Sequence, residues 1–444
     1  WRLRNSAYNT VYYNPGIRYT PWEGLNPDDD EFPDSPATAA RNDPLSSGTT
    51  NLRSSYSYWA KTVVEEPEVC EMSCLVFDWW GSGCVLEGEV CTGGSTWQNV
   101  YVANYYYPRH YIWTDKNANG LMDAVPSPVL DPDDSEGLLV EIRPAVEGGS
   151  DTYPKGDDRK DCDTTEGLCT YDEELQNFAN WFTYARNREY TAKLALGKVV
   201  AAAENIRIGY AKLNDDDNLR PIQSMNTSVR TGAKAALLDA IYLTSSSGGT
   251  PLRRSLNKAG LHYECEAGDI FGSASSSVPG DAACPVSTAP NGNCQQSFSL
   301  LMTDGSWNGS SPSIGDTDDS GPTNFDGGRY ASSYSNTLAD VAMQYYERDL
   351  HDGADGLSNE VPTTGRDRDG AAEDAFEGSG NEFMHQHMTT YTVGFGVNGL
   401  VDPDTVPGDY AESFIWGNPT TTERKIDDLL HAAVNGRGDY MSAK

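Results

Sequence analysis

Ser297-Phe298-Ser299-Leu300-Leu301-Met302-Thr303-Asp304-Gly305 sets the fold class of this chain. A short buried-type strand ends in Thr-Asp-Gly, so a carboxylate stands at the strand's C-terminal edge. Open α/β sheets bind ligands at that edge. Upstream, Gly248-Gly249-Thr250-Pro251-Leu252 is a glycine loop that presents a threonine just before a helix. A threonine hydroxyl and an aspartate carboxylate on neighbouring loops are hard oxygen donors, suited to Mg²⁺ or Ca²⁺ directly or through water. Taken singly, each tripeptide is a turn followed by a helix cap. The order and the fold give the pair its weight.

The surrounding chain supports that fold from about residue 170 onward. Thr170-Tyr171-Asp172-Glu173 fits a capping box. Leu175, Phe178, Phe182, Ala185, Ala192, Leu196, Val199 and Ala203 follow mostly three or four apart, which predicts one long amphipathic helix. Alternation at Ile206, Ile208 and Tyr210 predicts a strand. Residues 231–244 and 250–259 read as helices, as do Thr337–Leu350 and Lys425–Val434. Tyr391, Val393, Phe395 and Val397 alternate with smaller residues as in a strand. Helix and strand alternate to the end, so the expected architecture is α/β: an open, mostly parallel sheet with helices on both faces. Long Asp/Gly/Ser loops at 268–293, 308–333 and 352–383 interrupt it.

Residues 1–170 have a different texture, irregular and rich in aromatic residues and cysteine. Clusters such as Tyr12-Tyr13-Asn14-Pro15 and Tyr105-Tyr106-Tyr107-Pro108 alternate with Asp/Pro/Ser/Gly loops. Two regions are therefore expected, 1–170 inserted in or packed on the α/β body, and 171–444 forming that body.

Charge and cysteine usage bound the function. Against 66 Asp+Glu stand 32 Lys+Arg, a formal net charge of −34. Such a chain repels nucleic acid and anionic membrane surfaces, and no stretch is apolar enough for membrane insertion. Nine cysteines occur without any CxxC pair, so zinc-ribbon and thioredoxin chemistry lack their spacing. Their local grouping in loop-like sequence fits short-loop disulfides in an oxidising compartment. Cys162 with Cys169, and Cys284 with Cys294, are the pairs expected from proximity. The odd ninth thiol is free or paired outside this stretch.

A calcium-type loop lies in the first region. Asp115-Lys116-Asn117-Ala118-Asn119-Gly120-Leu121-Met122-Asp123 places oxygen side chains at positions 1, 3, 5 and 9, a main-chain carbonyl at Leu121, and glycine at position 6. Alternate residues of such a loop point at one centre, and the glycine permits the sharp turn. Position 12, an acidic ligand in an EF-hand, is Pro126; Asp131, Asp133 or Asp134 would have to replace it.

Gly-Gly-Thr-Pro followed by a strand ending Thr-Asp-Gly resembles the von Willebrand factor A domain. More narrowly, the chain resembles the PilY-type tip adhesins of bacterial type IV pili. The resemblance includes Tyr8-Asn9-Thr10-Val11-Tyr12-Tyr13-Asn14-Pro15, Leu175-Gln176-Asn177-Phe178-Ala179-Asn180-Trp181-Phe182-Thr183-Tyr184 and Leu301-Met302-Thr303-Asp304-Gly305-Ser306-Trp307-Asn308-Gly309. It closes with Gln386-His387-Met388-Thr389-Thr390-Tyr391-Thr392-Val393-Gly394-Phe395-Gly396 and Ala432-Ala433-Val434-Asn435-Gly436-Arg437-Gly438. The resemblance implies a Rossmann-like sheet carrying a metal-ion-dependent adhesion site on three loops. Thr250 and Asp304 match the second and third. The first loop's Asp-x-Ser-x-Ser is absent; Asp133-Asp134-Ser135 and Asp318-Asp319-Ser320 fail its spacing. By resemblance that loop, its strand and the last helix are expected outside this chain, as is a β-propeller.

The expected function is accordingly that of a pilus-tip adhesin. It would be exported through the periplasm to the cell surface, sit on minor pilins, and bind a host or abiotic surface ligand. Ca²⁺ is the expected ion of the 115–123 loop, and Mg²⁺ or Mn²⁺ suits the adhesion-type site. A structural module that primes pilus assembly is the rival reading. A secreted calcium-dependent hydrolase is the remote one; there is no HExxH, GxSxG or phosphate loop, and no carboxylate pair stands out. Two further motifs have structural explanations. Arg437-Gly438-Asp439 is an integrin-type tripeptide, but it sits where a turn is expected. His385-Gln386-His387 could share a strand face around zinc, but it opens a core strand.

Overall fold

The computed structural model describes residues 2–54, 69–77, 84–92, 107–116, 118–122, 136–162, 167–214, 219–272, 278–319, 327–351, 356–362, 383–408 and 412–443, with backbone alone for 69–77, 84–92 and 443. The chain divides into two units: residues 1–22 with 32–194, and residues 23–31 with 195–444. The boundary thus falls after Leu194, beyond the change of texture at 170.

In the first unit the strands form antiparallel pairs: β1 (Ala40–Arg41) with β2 (Thr49–Thr50), β3 (Val69–Phe77) with β4 (Cys84–Thr92), β5 (Arg109–Trp113) with β6 (Gly137–Glu141), and β7 (Thr152–Pro154) with β8 (Leu168–Thr170). Helix α1 (Tyr171–Tyr184) organises the irregular chain around them. It starts at a capping box: Thr170 Oγ1 accepts from Glu173 N, and Glu173 Oε2 accepts from Thr170 N at 2.7 Å. Its carboxamides replace sheet partners for the N-terminal segment. Asn177 Oδ1 accepts from Tyr19 N (2.8 Å) while Nδ2 donates to Ile17 O (2.8 Å). Asn180 Oδ1 accepts from Ser35 N (2.8 Å) while Nδ2 donates to Tyr19 O (3.0 Å). Buried backbone groups need such partners when no ladder supplies them. Leu175, Phe178, Ala179 and Trp181 on the same helix bury against Tyr13, Leu52, Ile142 and Tyr153. Fully burying a large apolar side chain contributes roughly 1.5–3 kcal/mol.

The single helix expected over 175–203 is two. Ala185 leaves helical geometry at φ −143°, and α2 (Arg188–Ala202) starts afresh. Asn187 makes the break: its Oδ1 accepts from Tyr190 N at 2.8 Å, the N-cap bond that asparagine is suited to make. The apolar period runs through the interruption, so periodicity alone could not reveal it.

The second unit holds the parallel sheet. β9 (Arg207–Tyr210) and β10 (Arg220–Ser224) form an antiparallel pair, followed by α3 (Gly232–Leu243) and α4 (Leu252–Tyr263). Then come β11 (Ser297–Thr303), α5 (Leu338–Glu347), the short antiparallel pair β12 (Val361–Pro362) and β13 (Phe383–Met384), β14 (Met388–Phe395), α6 (Thr422–Asn435) and β15 (Arg437–Ala443). β11, β14 and β15 make a three-stranded parallel sheet in that order, with Leu301 beside Thr392 and Thr303 beside Gly394. Leu252 and Leu256 of α4, Leu338, Val341, Ala342 and Tyr345 of α5, and Leu429 and Ala432 of α6 pack with Leu301 and Met388 into one core. On β11 the alternate residues Phe298 and Leu300 stay 44% and 55% exposed, as the two-residue period of a strand requires when one face is covered. Among the described residues the architecture is mixed α/β built from small sheets, of which β11–β14–β15 is the parallel one.

Candidate cation site and its surroundings

Thr303 ends β11, and Asp304 follows in an exposed turn closed by Thr303 Oγ1 with Gly305 N (3.2 Å). The carboxylate thus stands at the C-terminal edge of a parallel strand. Thr250 is half-buried, one residue before the Pro251 cap of α4. Its loop is tied to the segment after Asp304. Asn308 N donates to Thr250 O (2.8 Å), and Thr250 N donates to Asn308 Oδ1 (3.0 Å). Asn214 Nδ2 holds the other side of the loop at Ser247 O (2.7 Å) and Gly249 O (2.5 Å). The two glycines follow from this crowding. Gly248 has φ +87°, and a Cβ there would meet Asn214 Nδ2 at 2.6 Å; a Cβ on Gly249 would meet Asn308 Oδ1 at 2.8 Å. A neutral hydroxyl and an exposed carboxylate are donor types that hard divalent cations take.

Below the turn, Trp307 is buried with Arg253 over its face, the guanidinium carbon 3.8 Å from the ring centroid and Lys425 Nζ at 4.4 Å. Arg253 Nη2 also donates to Gly309 O at 2.7 Å. Cation–π contacts of this kind strengthen when shielded from water. Trp307 Nε1 donates to Asp428 Oδ2, whose carboxylate also receives Leu338 N and Ala339 N. An anion at a helix N-terminus meets free N–H groups and the favourable end of the helix dipole. Burial nonetheless pushes the Asp428 carboxyl up to about 6.

A second acidic group escaped the sequence reading. Asp316, Asp318 and Asp340 bring carboxylate oxygens within 4.8 Å of one another, and Asp318 and Asp340 are buried. Asp340 acts as the capping-box residue of α5, its Oδ2 accepting from Thr337 N and Oγ1, each at 2.7 Å. Asp318 accepts from Ser332 N (2.9 Å) and Asn435 Nδ2 (3.0 Å). Burial, then the Asp340 charge, push Asp318 up to about 8, so it carries its proton at neutral pH. His431 Nε2 lies 3.5 Å from Asp318 but donates to Tyr330 O at 2.6 Å. Burial lowers His431 to about 3, so the ring is neutral and brings no cation. The only hint in the sequence is the Thr337-Leu338-Ala339-Asp340 cap; the burial of Asp318 has no local signature.

At the calcium-type loop, the described residues fold back over Asp115. Its carboxylate accepts from Asn119 N (3.2 Å) and Gly120 N (2.8 Å), and Asn119 Oδ1 accepts from Leu121 N (2.7 Å). Gly120 takes φ +73°. Asn117 and Asp123 lie outside the described residues.

Three other sequence candidates resolve into structural roles. Cys162 is bonded to Cys169. Cys284, expected to pair with Cys294, is instead bonded to Cys265, and Cys294 is an exposed free thiol. Cys265 and Cys284 share a small buried cluster with Val286 and Leu357; the helix α4 that brings Cys265 there is remote from Cys284 in sequence. Arg437-Gly438-Asp439 begins β15, with Asp439 exposed. Arg437 is buried, its guanidinium 3.6 Å from the Tyr330 ring centroid, and Gly438 packs so tightly that a Cβ would meet Thr390 O at 2.3 Å. His385 and His387 are buried too: His385 Nε2 donates to Tyr346 O and His387 Nδ1 to His385 O.

Similarity to known proteins points to one class, the type IV pilus biogenesis factors. Over 314 residues, 64% of this chain and 26% of the relative, the chain is 30% identical to the type IV pilus biogenesis factor PilY1 of Pseudomonas aeruginosa strain PAK. Over 472 residues, 99% of this chain and 34% of the relative, it is 26% identical to PilY1 of strain UCBPP-PA14. The chain spans about a quarter to a third of the length of these curated relatives. No family model and no solved structure matches it. Among the described residues no helix is long and apolar enough to cross a membrane. The two disulfides among the described residues suit an oxidising, exported setting.

Proposed function

We propose that this chain is the surface-binding, von Willebrand A-type domain of a type IV pilus tip protein, and that Thr250 and Asp304 hold the divalent cation through which it binds. The carrying observation is the pinning of the Thr250 loop to the segment after Asp304 through both main-chain groups of Thr250. A Mg²⁺ or Mn²⁺ ion, when bound, supplies electrostatic attraction for a carboxylate of the surface ligand. The chain's own part is to offer one charged and one neutral oxygen from two loops with fixed backbones. Coordination positions then remain for water and ligand, since these hard cations favour six or more oxygens. The 115–123 loop would take Ca²⁺ in a structural role. Minor pilins would anchor the protein, and the exposed ligand would be a host or abiotic surface. No enzymatic step is assigned.

The printed name of the relatives, biogenesis factor, supports a second reading in which the domain primes pilus assembly without touching the surface. Piliated cells carrying Thr250→Ala or Asp304→Ala in the full-length protein separate the two. The adhesion reading expects normal pilus number with loss of Mg²⁺- or Mn²⁺-dependent attachment. Unchanged attachment by both variants would reject it and leave the assembly role.

A further inference from the structure

We infer that Asn308 is a positioning residue that sets the Thr250 half of the cation site before any ion arrives; this rests on the assignment of Thr250 and Asp304 to that site. Asn308 lies four residues after Asp304, on the segment that leaves β11. It binds Thr250 at both ends of the residue, giving its N–H to Thr250 O and taking the Thr250 N–H on Oδ1. Neither bond uses the threonine hydroxyl. The first is a main-chain bond open to any residue but proline; the second belongs to the asparagine side chain, and both leave the threonine's side-chain oxygen for a ligand.

The clamp is closely packed. Gly249 has no Cβ where one would stand 2.8 Å from Asn308 Oδ1, and Asn214 closes the opposite side of the same glycine pair. Arg253, in the first turn of α4, adds a third tie to Gly309 O. Two side chains, Asn214 and Asn308, thus hold a loop that lies outside the strands, and Arg253 ties the Asn308 segment to α4. Groups that orient a metal's ligands typically change its affinity 10- to 100-fold when removed.

The test uses full-length protein and Mn²⁺ as the probe, read by isothermal titration and by the spin-resonance signal of bound ion. The site is counted as the Mn²⁺ that Asp304→Ala removes, which separates it from any ion on the 115–123 loop. Asn308→Ala should weaken that Mn²⁺ about tenfold. Gly249→Ala should do the same by displacing the Asn308 amide. Asn308→Asp, which keeps an acceptor for Thr250 N, should restore binding. Because Asn308 is exposed, the melting temperature in EDTA should stay within about 2 °C of the parent for Asn308→Ala. If Asn308→Ala and Gly249→Ala bind Mn²⁺ as the parent does while Thr250→Ala loses it, the positioning role is wrong and the site stands. If neither Thr250→Ala nor Asp304→Ala changes Mn²⁺ uptake, the site assignment falls and the positioning role with it.

Discussion

Trp307 Nε1 donates to Asp428 Oδ2 at 2.7 Å, fastening the loop after β11 to helix α6. The same carboxylate receives the first N–H groups of α5, Leu338 N at 3.0 Å and Ala339 N at 3.1 Å. One buried side chain therefore joins a loop and two helices. Asp428→Ala would orphan three buried donors, each costing about 1–3 kcal/mol. The expected loss is about 3 kcal/mol or more, measured by urea unfolding. Asp428→Asn keeps one acceptor oxygen and should lose clearly less; equal losses would count against the capping role.

Stability should fall as pH rises just above neutrality. A carboxyl raised in the fold keeps its proton where the unfolded chain has lost it. The Asp318 contribution is thus complete below about pH 4 and disappears as pH rises through about 8. Asp428 follows the same sense but ends near pH 6. His431 and His110, lowered to about 3 and about 4, work oppositely: their contribution is complete above about pH 6.5 and is lost as pH falls through those values. Between pH 6.5 and 8.5 Asp318 therefore stands apart among these groups. The parent protein in EDTA should lose up to about 1.4 kcal/mol per pH unit there, seen as a falling melting temperature. Asp318→Asn should flatten that slope; an unchanged slope would refute the buried protonated carboxyl.

The buried Arg159 lends itself to a double-mutant cycle. Arg159 Nη1 donates to Glu174 Oε2 at 2.6 Å, with Tyr13 OH on Glu174 Oε1 at 2.7 Å. Removing one partner of a buried pair typically costs 3–5 kcal/mol, while replacing both with apolar groups costs far less. Arg159→Met should destabilise by about 3 kcal/mol or more, and adding Glu174→Leu should recover most of it. A double variant no better than the single would show that the pair does not act as a unit.

The cysteine assignment has a direct chemical check. Alkylation of the native protein without reductant should label Cys294, while peptide mapping recovers Cys265 joined to Cys284 and Cys162 joined to Cys169. Recovery of a Cys284–Cys294 peptide instead would restore the pairing that sequence proximity favours.

The acidic composition, the Thr170 capping box, the strand at 297–303 and the helices near 231–244, 250–259 and 425–434 were legible because each depends on residues within a turn or two of one another. The same holds for the placement of Asp304 at a strand end and of Thr250 before a helix. Tertiary structure alone decided the rest. It paired Cys284 with Cys265, since distance along the chain does not report distance in space. It buried Arg437 against Tyr330 and Tyr346, turning a displayed-looking tripeptide into strand. It raised the Asp318 carboxyl by burying it beside Asp340, which comes from another segment. And it latched Asn308 to Thr250 across more than fifty intervening residues. Local periodicity encodes which face of an element is apolar; burial and charge at a point depend on everything that folds around it, and that sum is not written in any one stretch of sequence.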